Sequence, residues 1–383
     1  MDFTLSEEQR DIQRAAREFA QGEFEEDIAL EPDRECRFPD AIRKKACELG
    51  FIGLAYPEEL GGQGLGQLEI VLVTEEFCRR DSSIGCALSL IDFGSHIILK
   101  FGTDQQKRRW IIPIMEGKTL SSWASMENKA ADLVDISTSC LRKGEQCIIE
   151  GTKEFVVNGP IADYFVVLCR EDEENRSPHP LLSHVVVERD RKGVEITPVE
   201  KMGMRMVVTA RVQLTRVTLP VENMVGNRGD GHKQAHDLCK ASGLVVAAQA
   251  LGVSQGAFDR ALDYSRQRVQ FGKRLSQFQA IRHKLADMAT RIEAARWLTY
   301  RAAAEYDKKR VESPSIPIAR LYATEAAVEI ADEAVQIFGG YGYIVDQDIE
   351  HFFRDAWVID LYGAMGRDGR DEIAEALLGG PSG

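Results

Sequence analysis

The sequence RVQFGKRLSQFQ, residues 268–279, separates long alanine-rich segments in the last third of the chain. Its Arg268 could bind a pyrophosphate through the guanidinium group. Gly272, which follows Phe271, would let the backbone approach the phosphates closely. A glycine that ends a helix beside ordinary surface charge would produce the same pattern. The alanine-rich segments have the apolar spacing and the length of bundle helices; they are residues 244–268, 280–306 and 318–338. We therefore predict a C-terminal helical bundle.

Upstream of the bundle, the apolar spacing changes to that of strands. Residues 121–225 contain short runs rich in valine and isoleucine, and residues 211–214 alternate polar and apolar side chains as a half-buried strand does. The N-terminal part returns to helical spacing, with Ser6 and the acids after it as a helix start. We predict an α+β multidomain chain with these boundaries: all-α over residues 1–118, all-β over 119–228 and all-α over 229–383.

The composition is that of an ordinary soluble globular protein. The chain has 383 residues, 44% apolar and 28% charged, which is ample material for a core. Its 61 acidic and 48 basic residues give a net charge of −13, which disfavours a nucleic-acid partner. The longest uncharged run, residues 241–258, is too polar to predict a membrane span. The N-terminus has no apolar signal, and the eight scattered cysteines fit reduced thiols, so we expect a cytoplasmic protein.

Several common catalytic motifs are absent from the sequence. There is no GxGxxG after a strand, no GxxxxGK[ST] and no GxSxG elbow, since the GVSQG at 252–256 lies inside a predicted bundle helix, so a Rossmann site, a P-loop and a hydrolase triad lack their anchors. His232 and His236 have helical spacing without an HExxH motif, and we interpret them as a solvated pair and predict no metal site. The glycine cluster at 339–342 follows a long helix. It is either a helix cap or a place where a ligand or another chain approaches closely.

Seven motifs, in order along essentially the whole chain, resemble those of the acyl-CoA dehydrogenase family. They are MDFTLSEEQ at the start, PEELGGQGLG at 57–66, GTKEFVVNG at 151–159, MGMRMVVTARV at 202–212, RVQFGKRLSQFQ at 268–279, QIFGGYGY at 336–343 and FFRDA at 352–356. The resemblance implies an N-terminal all-α domain, a middle β-barrel-like domain and a C-terminal four-helix bundle, with FAD between the last two. It also implies an acyl-CoA or acyl-carrier thioester as substrate, and electron-transfer flavoprotein as a candidate partner.

The same resemblance implies a tetramer in which FAD crosses an interface between subunits. In relatives, the residues matching Arg268, Phe271 and Gln279 of one subunit and Gln336, Gly339 and Gly340 of another hold the cofactor. The implied cofactor-binding positions are Trp123, Ser125, Met126, Phe155, Val157, Arg268, Phe271, Gln279, Gln336, Gly339 and Gly340. The implied substrate positions are Ala131, Leu238, Ser242, Tyr362 and Gly363.

The chain departs from the family at the position of the catalytic base. Most relatives carry a glutamate where this chain has Gly363, and a branch of the family carries the base on a bundle helix, where this chain has Ser242. Glycine cannot accept a proton, and serine is a poor base without a partner. The base is therefore unassigned. Relocated candidates, each interpreted first as a solvated surface acid, are Glu127, Asp360, Asp368, Asp371 and Glu372.

Hydroxyl groups that face the flavin ring in relatives are also lost, at Met126, Val157 and Met365, and Ala131 replaces a serine near the thioester. Each lost hydrogen bond costs about 0.5–1.5 kcal/mol, which weakens FAD binding without excluding it. The changes cluster at the ring and the thioester, whereas the adenosine-side motifs are retained. The pattern favours altered chemistry on a retained flavin scaffold.

Three functions remain open from the sequence. The first is an FAD-dependent enzyme that acts on an acyl thioester, either by α,β-dehydrogenation with a relocated base or by a non-standard flavin reaction. The second is a catalytically incomplete partner subunit of a mixed tetramer, whose neighbour supplies the base. The third is a desulfinase- or monooxygenase-like member of the family. Gly85 aligns with an arginine thought to hold the acidic substrate in the desulfinase branch, which counts against a dicarboxylate-like substrate.

Overall fold

The structure is a computed structural model of the 383-residue chain. It describes residues 4–24, 33, 35–127, 136–172, 181–309, 314–363 and 369–379, with the backbone alone at 360, 362 and 363.

The N-terminal part is helical, as predicted. Ser6 begins the first helix through a capping box: its hydroxyl accepts from the Gln9 amide at 3.1 Å, and its own amide donates to the Gln9 side chain at 3.0 Å. The rings of Phe19 and Phe77, 5.5 Å apart, form part of the apolar core beneath it. The helices are α1 (Glu7–Glu23), α2 (Asp40–Glu48), α3 (Gln67–Arg80), α4 (Ser82–Leu88), α5 (Ser95–Phe101), α6 (Asp104–Trp110) and α7 (Ile112–Met115).

The middle part is one mixed sheet with its own apolar core. Its strands are β1 (Ser121–Ala124), β2 (Ser139–Lys143), β3 (Gln146–Val157), β4 (Tyr164–Asp172), β5 (Leu182–Glu188), β6 (Val194–Val199), β7 (Thr209–Pro220) and β8 (Met224–Val225). They are ordered β6-β7-β3-β2-β4-β5-β8, with β1 added beside β4. Both β1 and β2 run parallel to β4, and the other pairs are antiparallel. The long strands β3 and β7 pair through two register shifts, which bend the sheet.

The C-terminal part is a bundle of four long helices: α8 (Gly231–Gln267), α9 (Gln279–Asp307), α10 (Ser315–Phe338) and α11 (Ile349–Gly363). A short hairpin of β9 (Val269–Gln270) and β10 (Lys273–Arg274) joins α8 to α9, and α12 (Gly369–Leu378) follows α11. Helix α8 also packs closely on α3, because Gly252 has no side chain. A Cβ atom there would lie 2.5 Å from the Glu75 carbonyl oxygen.

Helix α8 differs from one expectation. By length and composition alone it could cross a membrane, although the sequence analysis treated its uncharged run as too polar. In the fold, 78% of its most apolar 18-residue window is buried against the other helices. The apolar content is therefore explained by a core helix that is covered from several directions.

An ion-pair cluster joins the N-terminal helices to the bundle. Asp81 caps α4 by accepting from the Ile84 amide at 2.8 Å, and its carboxylate lies 3.5 Å from Nε2 of His351 on α11. The Nδ1 atom of His351 contacts Asp348 at 2.7 Å, and Asp348 also binds Arg260 of α8 at 2.7 Å. Burial acts to lower the pKa of His351, but the Asp348 and Asp81 carboxylates raise it to about 10. The cluster holds three elements together by charge.

Candidate functional site

A cavity of about 550 Å³ lies at the junction of the α8 end, the hairpin and the end of α10. Arg268 and the glycines that follow α10, Gly339 and Gly340, line it together. The guanidinium carbon of Arg268 lies 5.1 Å from the centre of the Tyr341 ring, which holds the charge at the mouth of the cavity. Residues that the sequence analysis divided between two subunits are thus brought together within one chain.

The two glycines leave room for a ligand. Gly339 has φ 62° and ψ −137°, a conformation that side-chain-bearing residues rarely adopt. A Cβ atom at either Gly339 or Gly340 would meet no described atom within 4 Å. The backbone is therefore open to close approach, and Arg268 supplies the positive charge that a pyrophosphate requires. These residues fit the adenosine and pyrophosphate end of FAD.

The other predicted positions at this end of the bundle are exposed. Phe271, at the tip of the hairpin, has 92% of its surface accessible and a positive φ of 51°. Gln279 begins α9 and Gln336 lies near the end of α10, both with exposed side chains. Exposure of an aromatic ring on a strained hairpin is unfavourable in free energy unless another protein surface covers the ring.

A bulge in β3 shapes the face of the middle domain. Two residues of β3, Glu154 and Phe155, lie at a register shift against β7, and Phe155 has φ 50° with 55% of its surface exposed. The amide of Glu154 donates to the Met126 carbonyl at 2.9 Å, so the bulge and the end of β1 are adjacent. Val157, two residues on, is half-buried. Three predicted ring-side positions, Met126, Phe155 and Val157, therefore lie on connected segments with an exposed aromatic ring.

Trp123 and Ser125 are buried beside this face. The Trp123 indole donates to Nε2 of His184 at 3.1 Å, and Nδ1 of His184 lies 2.7 Å from the Gln234 side-chain oxygen. Burial lowers the pKa of His184 to about 4, so the ring is neutral and accepts the indole hydrogen bond. The Ser125 carbonyl accepts from the Lys153 ammonium at 3.1 Å. The roles of Trp123 and Ser125 toward a cofactor stay predictions, because their side chains are largely buried.

Glu127 corrects an expectation of the sequence analysis. It is a buried partner of Lys153, with Nζ 2.8 Å from its carboxylate, and not a solvated surface acid. Its oxygens also accept from the Ser137 and Thr138 amides at 2.8 and 3.0 Å. Burial acts to raise the pKa of Glu127, but Lys153 and these hydrogen bonds lower it to about 2. A carboxylate with so many donors and so low a pKa is a structural anchor and a poor base.

The remaining base candidates lie around the end of α11 and in α12. Gly363 is the last residue of α11, and the segment that follows it, with Asp368 and Met365, is outside the described residues, as is Ala131. Asp371 is exposed on α12, as expected of a solvated acid. Glu372 is half-buried and lies 3.5 Å from the Arg320 guanidinium. Only the backbone of Asp360 and Tyr362 is described, so their roles stay predictions.

A small cavity of about 80 Å³ contains the predicted substrate positions Leu238 and Ser242. Both lie on α8, four residues apart, so they share a helix face. Two further polar residues of the wall, Ser89 and Asp92, come from the turn between α4 and α5, and they also line a neighbouring cavity of about 60 Å³. Sequence reasoning missed Asp92. The only local signal was an acid in an otherwise apolar stretch, LSLIDFGS.

The helical domain, the mixed sheet and the bundle, with a glycine-lined cavity at one end, define the class of three-domain flavoproteins that act on acyl thioesters. Models of the acyl-CoA dehydrogenase N-terminal, middle and C-terminal domains match residues 6–118, 122–217 and 229–378. The chain belongs to the acyl-CoA dehydrogenase family, whose members are FAD-dependent. The family resemblance and the three-domain fold predicted from the sequence are thereby confirmed.

Individual relatives match over nearly their full length. The chain is 34% identical to the short-chain specific acyl-CoA dehydrogenase of Clostridium acetobutylicum, over 99% of each chain. It is 34% identical to subunit CarC of the caffeyl-CoA reductase-Etf complex of Acetobacterium woodii, over 98% of each. Butyryl-CoA dehydrogenase of Megasphaera elsdenii has the same fold, with a TM-score of 0.93 and 31% identity over 99% of this chain and 100% of that one.

Proposed function

We propose that this protein is an FAD-dependent oxidoreductase that acts on the α and β carbons of a small acyl thioester of CoA or of an acyl carrier. The observation that supports it is that the chain has both an open, arginine- and glycine-lined cavity at the end of the bundle and a small cavity beside Ser242. The first suits a dinucleotide cofactor, and the second suits an acyl group.

In this proposal FAD crosses a subunit interface: Arg268, Gly339 and Gly340 of one chain would hold the phosphate and adenosine end of one FAD, and Met126, Phe155 and Val157 of that chain would lie toward the ring of another. FAD held there would supply the acceptor for a hydride from the β carbon of a saturated acyl thioester, or its donor in the reverse reaction. The chain itself binds and orients the acyl group. Leu238 and Ser242 provide one wall of its cavity, and Phe93 provides part of the other.

The cavity volumes support a small acyl group. About 10–15 Å³ is needed for one water-sized group, so a cavity of about 80 Å³ has room for roughly five to eight of them. The adjoining cavity of about 60 Å³ shares Ser89 and Asp92 with it, and a slightly longer chain would extend there. Similarity to a short-chain specific acyl-CoA dehydrogenase agrees with this size.

We further propose that the protein assembles as a tetramer and exchanges electrons with an electron-transfer flavoprotein. The exposed aromatic side chains of Phe271 and Tyr343, 92% and 88% accessible, favour a covering subunit. CarC, a 34% identical relative, is named as part of a complex with Etf. We place the protein in the cytoplasm, because all eight cysteines, which lie within the described residues, are free thiols.

A second candidate is a partner subunit in a mixed tetramer. It is favoured by one observation: Gly363 and Ser242 both lack a carboxylate. In that case the related subunit would carry the base, and this chain would contribute its cavity at the end of the bundle to the shared cofactor.

The deciding experiment is the visible spectrum of the purified protein, recorded anaerobically before and after adding short acyl-CoA thioesters. A yellow protein that bleaches with one thioester supports the proposed oxidoreductase. A yellow protein that bleaches with none contradicts α,β-dehydrogenation and favours a desulfinase- or monooxygenase-like reaction. A colourless protein that becomes yellow only with a related subunit supports the mixed tetramer. Bovine serum albumin with added FAD is the control for nonspecific bleaching.

A further inference from the structure

The small cavity beside α8 contains one carboxyl group among its described lining residues, that of Asp92. Asp92 lies in the turn between α4 and α5. Its carbonyl accepts from the Ser95 amide at 2.8 Å, and Gly94, with φ 99°, completes the turn. A Cβ atom at Gly94 would lie 3.1 Å from Trp123, so the turn is pressed against β1 and its geometry is fixed.

The surroundings of Asp92 leave its carboxylate available. The Tyr56 hydroxyl hydrogen bonds to it, and among the described residues no lysine or arginine forms an ion pair with it. Its neighbour His96 is occupied elsewhere, with Nε2 3.0 Å from Asp237. Burial raises the pKa of Asp92, whereas the Tyr56 hydrogen bond, a hydrogen bond from the backbone amide of Asp92 itself and the charge of His96 act in the other direction. The carboxyl group is thus more basic than an exposed aspartate.

Three acids near the predicted site differ in the basicity of their carboxylates. Glu127 is neutralised by Lys153 and four hydrogen bonds, and Asp237 is held by His96 and Lys100, so both have a lowered pKa of about 2. Asp92 has a hydroxyl and its own backbone amide as hydrogen-bond partners, with no cation paired to it in the described part of the chain, and lines a cavity. Of the three, Asp92 alone combines access to the acyl cavity with the basicity that proton abstraction requires.

We propose that Asp92 is the catalytic base of this protein and takes the α-proton of an acyl thioester bound in the cavity it shares with Ser242. This assignment rests on the proposed function. It replaces the two family positions that lack a carboxylate here, and it reaches the acyl group from the turn between α4 and α5, whereas Ser242 lies on α8.

The proton transfer needs no oxidant. The α C–H bond breaks, its electron pair delocalises into the thioester carbonyl as an enolate, and the proton forms a bond to a carboxylate oxygen of Asp92. The reverse step returns a proton to the α carbon. In D₂O the cycle exchanges α-hydrogen for deuterium, so the base is observable without any net redox reaction.

The test measures this exchange in the FAD-containing protein with 3-thiabutanoyl-CoA, a thioester in which sulfur replaces the β carbon, so that no hydride can leave. Deuterium at the α carbon is followed by NMR, and thioester binding is measured in the same samples by calorimetry. We expect exchange by the wild type and a loss of about 100-fold or more in Asp92→Asn, with binding retained. Asp104→Asn, which removes an exposed carboxylate at the start of α6 that does not line the cavity, should exchange at close to the wild-type rate.

A second variant separates the loss of a base from a loss of structure. Asp92→Ala should recover exchange when formate is added, because a small carboxylate can enter the space left by the side chain. Wild-type exchange by Asp92→Asn, or binding without exchange by the wild type, would overturn the assignment of Asp92 and leave the proposed function intact. A variant that exchanges normally but prefers a different acyl group would also overturn it, since Asp92 would then select substrate. Failure of the wild type to bind any acyl-CoA would contradict the proposed function itself.

Discussion

At the scale of single residues, the Glu127–Lys153 pair tests how the middle domain is anchored to the predicted ring-side face. Lys153 is fully buried, and the Glu127 carboxylate is its charge partner at 2.8 Å. Glu127→Gln would leave the ammonium buried without a compensating charge. We expect it to lower the free energy of unfolding by about 3–5 kcal/mol, measured by urea denaturation.

The matched control is Asp11→Asn, which breaks an exposed pair with Arg14 and should cost no more than about 1 kcal/mol. Equal stability of the Glu127 variant and the wild type would mean that Lys153 finds another partner or is neutral. Burial does act to lower the pKa of Lys153, and Glu127 opposes this change.

Single residues were also where sequence reasoning was weakest. The missing carboxylates at Gly363 and Ser242 were visible in the sequence, because they depend on position along the chain alone. Asp92 was not, because it is 150 residues from Ser242 and only the packing of the α4–α5 turn against α8 brings both to one cavity. Glu127 was misjudged for the same reason: its partner Lys153 lies on β3, across the sheet.

At the scale of elements, the glycines after α10 give a prediction about the cofactor. A Cβ atom at Gly340 would meet no described atom, so Gly340→Val should leave the fold of the chain unchanged while filling the space proposed for FAD. We expect the variant to purify with much less flavin, measured as the ratio of flavin to protein absorbance, and to unfold at close to the wild-type urea concentration once both proteins are stripped of flavin.

The control for this glycine is Gly22→Ala, which lies in α1 with open space around its Cβ position. It should keep the wild-type flavin content and gain about 0.5–1 kcal/mol of stability from the higher helix propensity of alanine. Full flavin content in Gly340→Val would show that the cavity at the end of α10 does not hold the cofactor.

The cluster that joins α4, α8 and α11 predicts a dependence of stability on pH. His351 has a folded pKa of about 10 against an ordinary value of 6.5. Its contribution is therefore complete below pH 6.5 and is lost as the pH rises toward 10. The urea midpoint of the wild type should fall over this range by more than that of His351→Gln, in which no imidazole titrates.

The difference between the two proteins isolates His351 from lysines and tyrosines that titrate near the same pH. Parallel pH profiles for wild type and His351→Gln would contradict a charged imidazole between Asp81 and Asp348.

At the scale of elements, helical and strand spacing in the sequence predicted the three parts of the fold, because the buried face of each element appears in the sequence as a periodic spacing of apolar residues. The apolar content of α8 was harder to interpret, because a helix buried on several sides resembles a membrane span.

At the scale of the whole molecule, the exposed hairpin predicts assembly. Phe271→Asp places a charge at a tip whose aromatic ring is 92% exposed in the single chain. If another subunit covers this ring, the charge would be buried without a partner, and we expect a smaller species by light scattering together with loss of bound flavin. Leu49→Asp, at an exposed position at the end of α2, should keep the wild-type mass. An unchanged mass for Phe271→Asp would contradict an interface at the hairpin.

The length of α8 has a genetic consequence. About 38 Å of helix separates Ser242 from Gln267, beside the glycine-lined cavity, so the two ends of one chain serve different cofactors in the assembly proposed above. Two defective alleles, Asp92→Asn and Gly340→Val, should then rescue each other when expressed in one cell, because some mixed particles contain an intact acyl cavity facing an intact neighbour. Either allele alone would score as null, and the pair would show interallelic complementation.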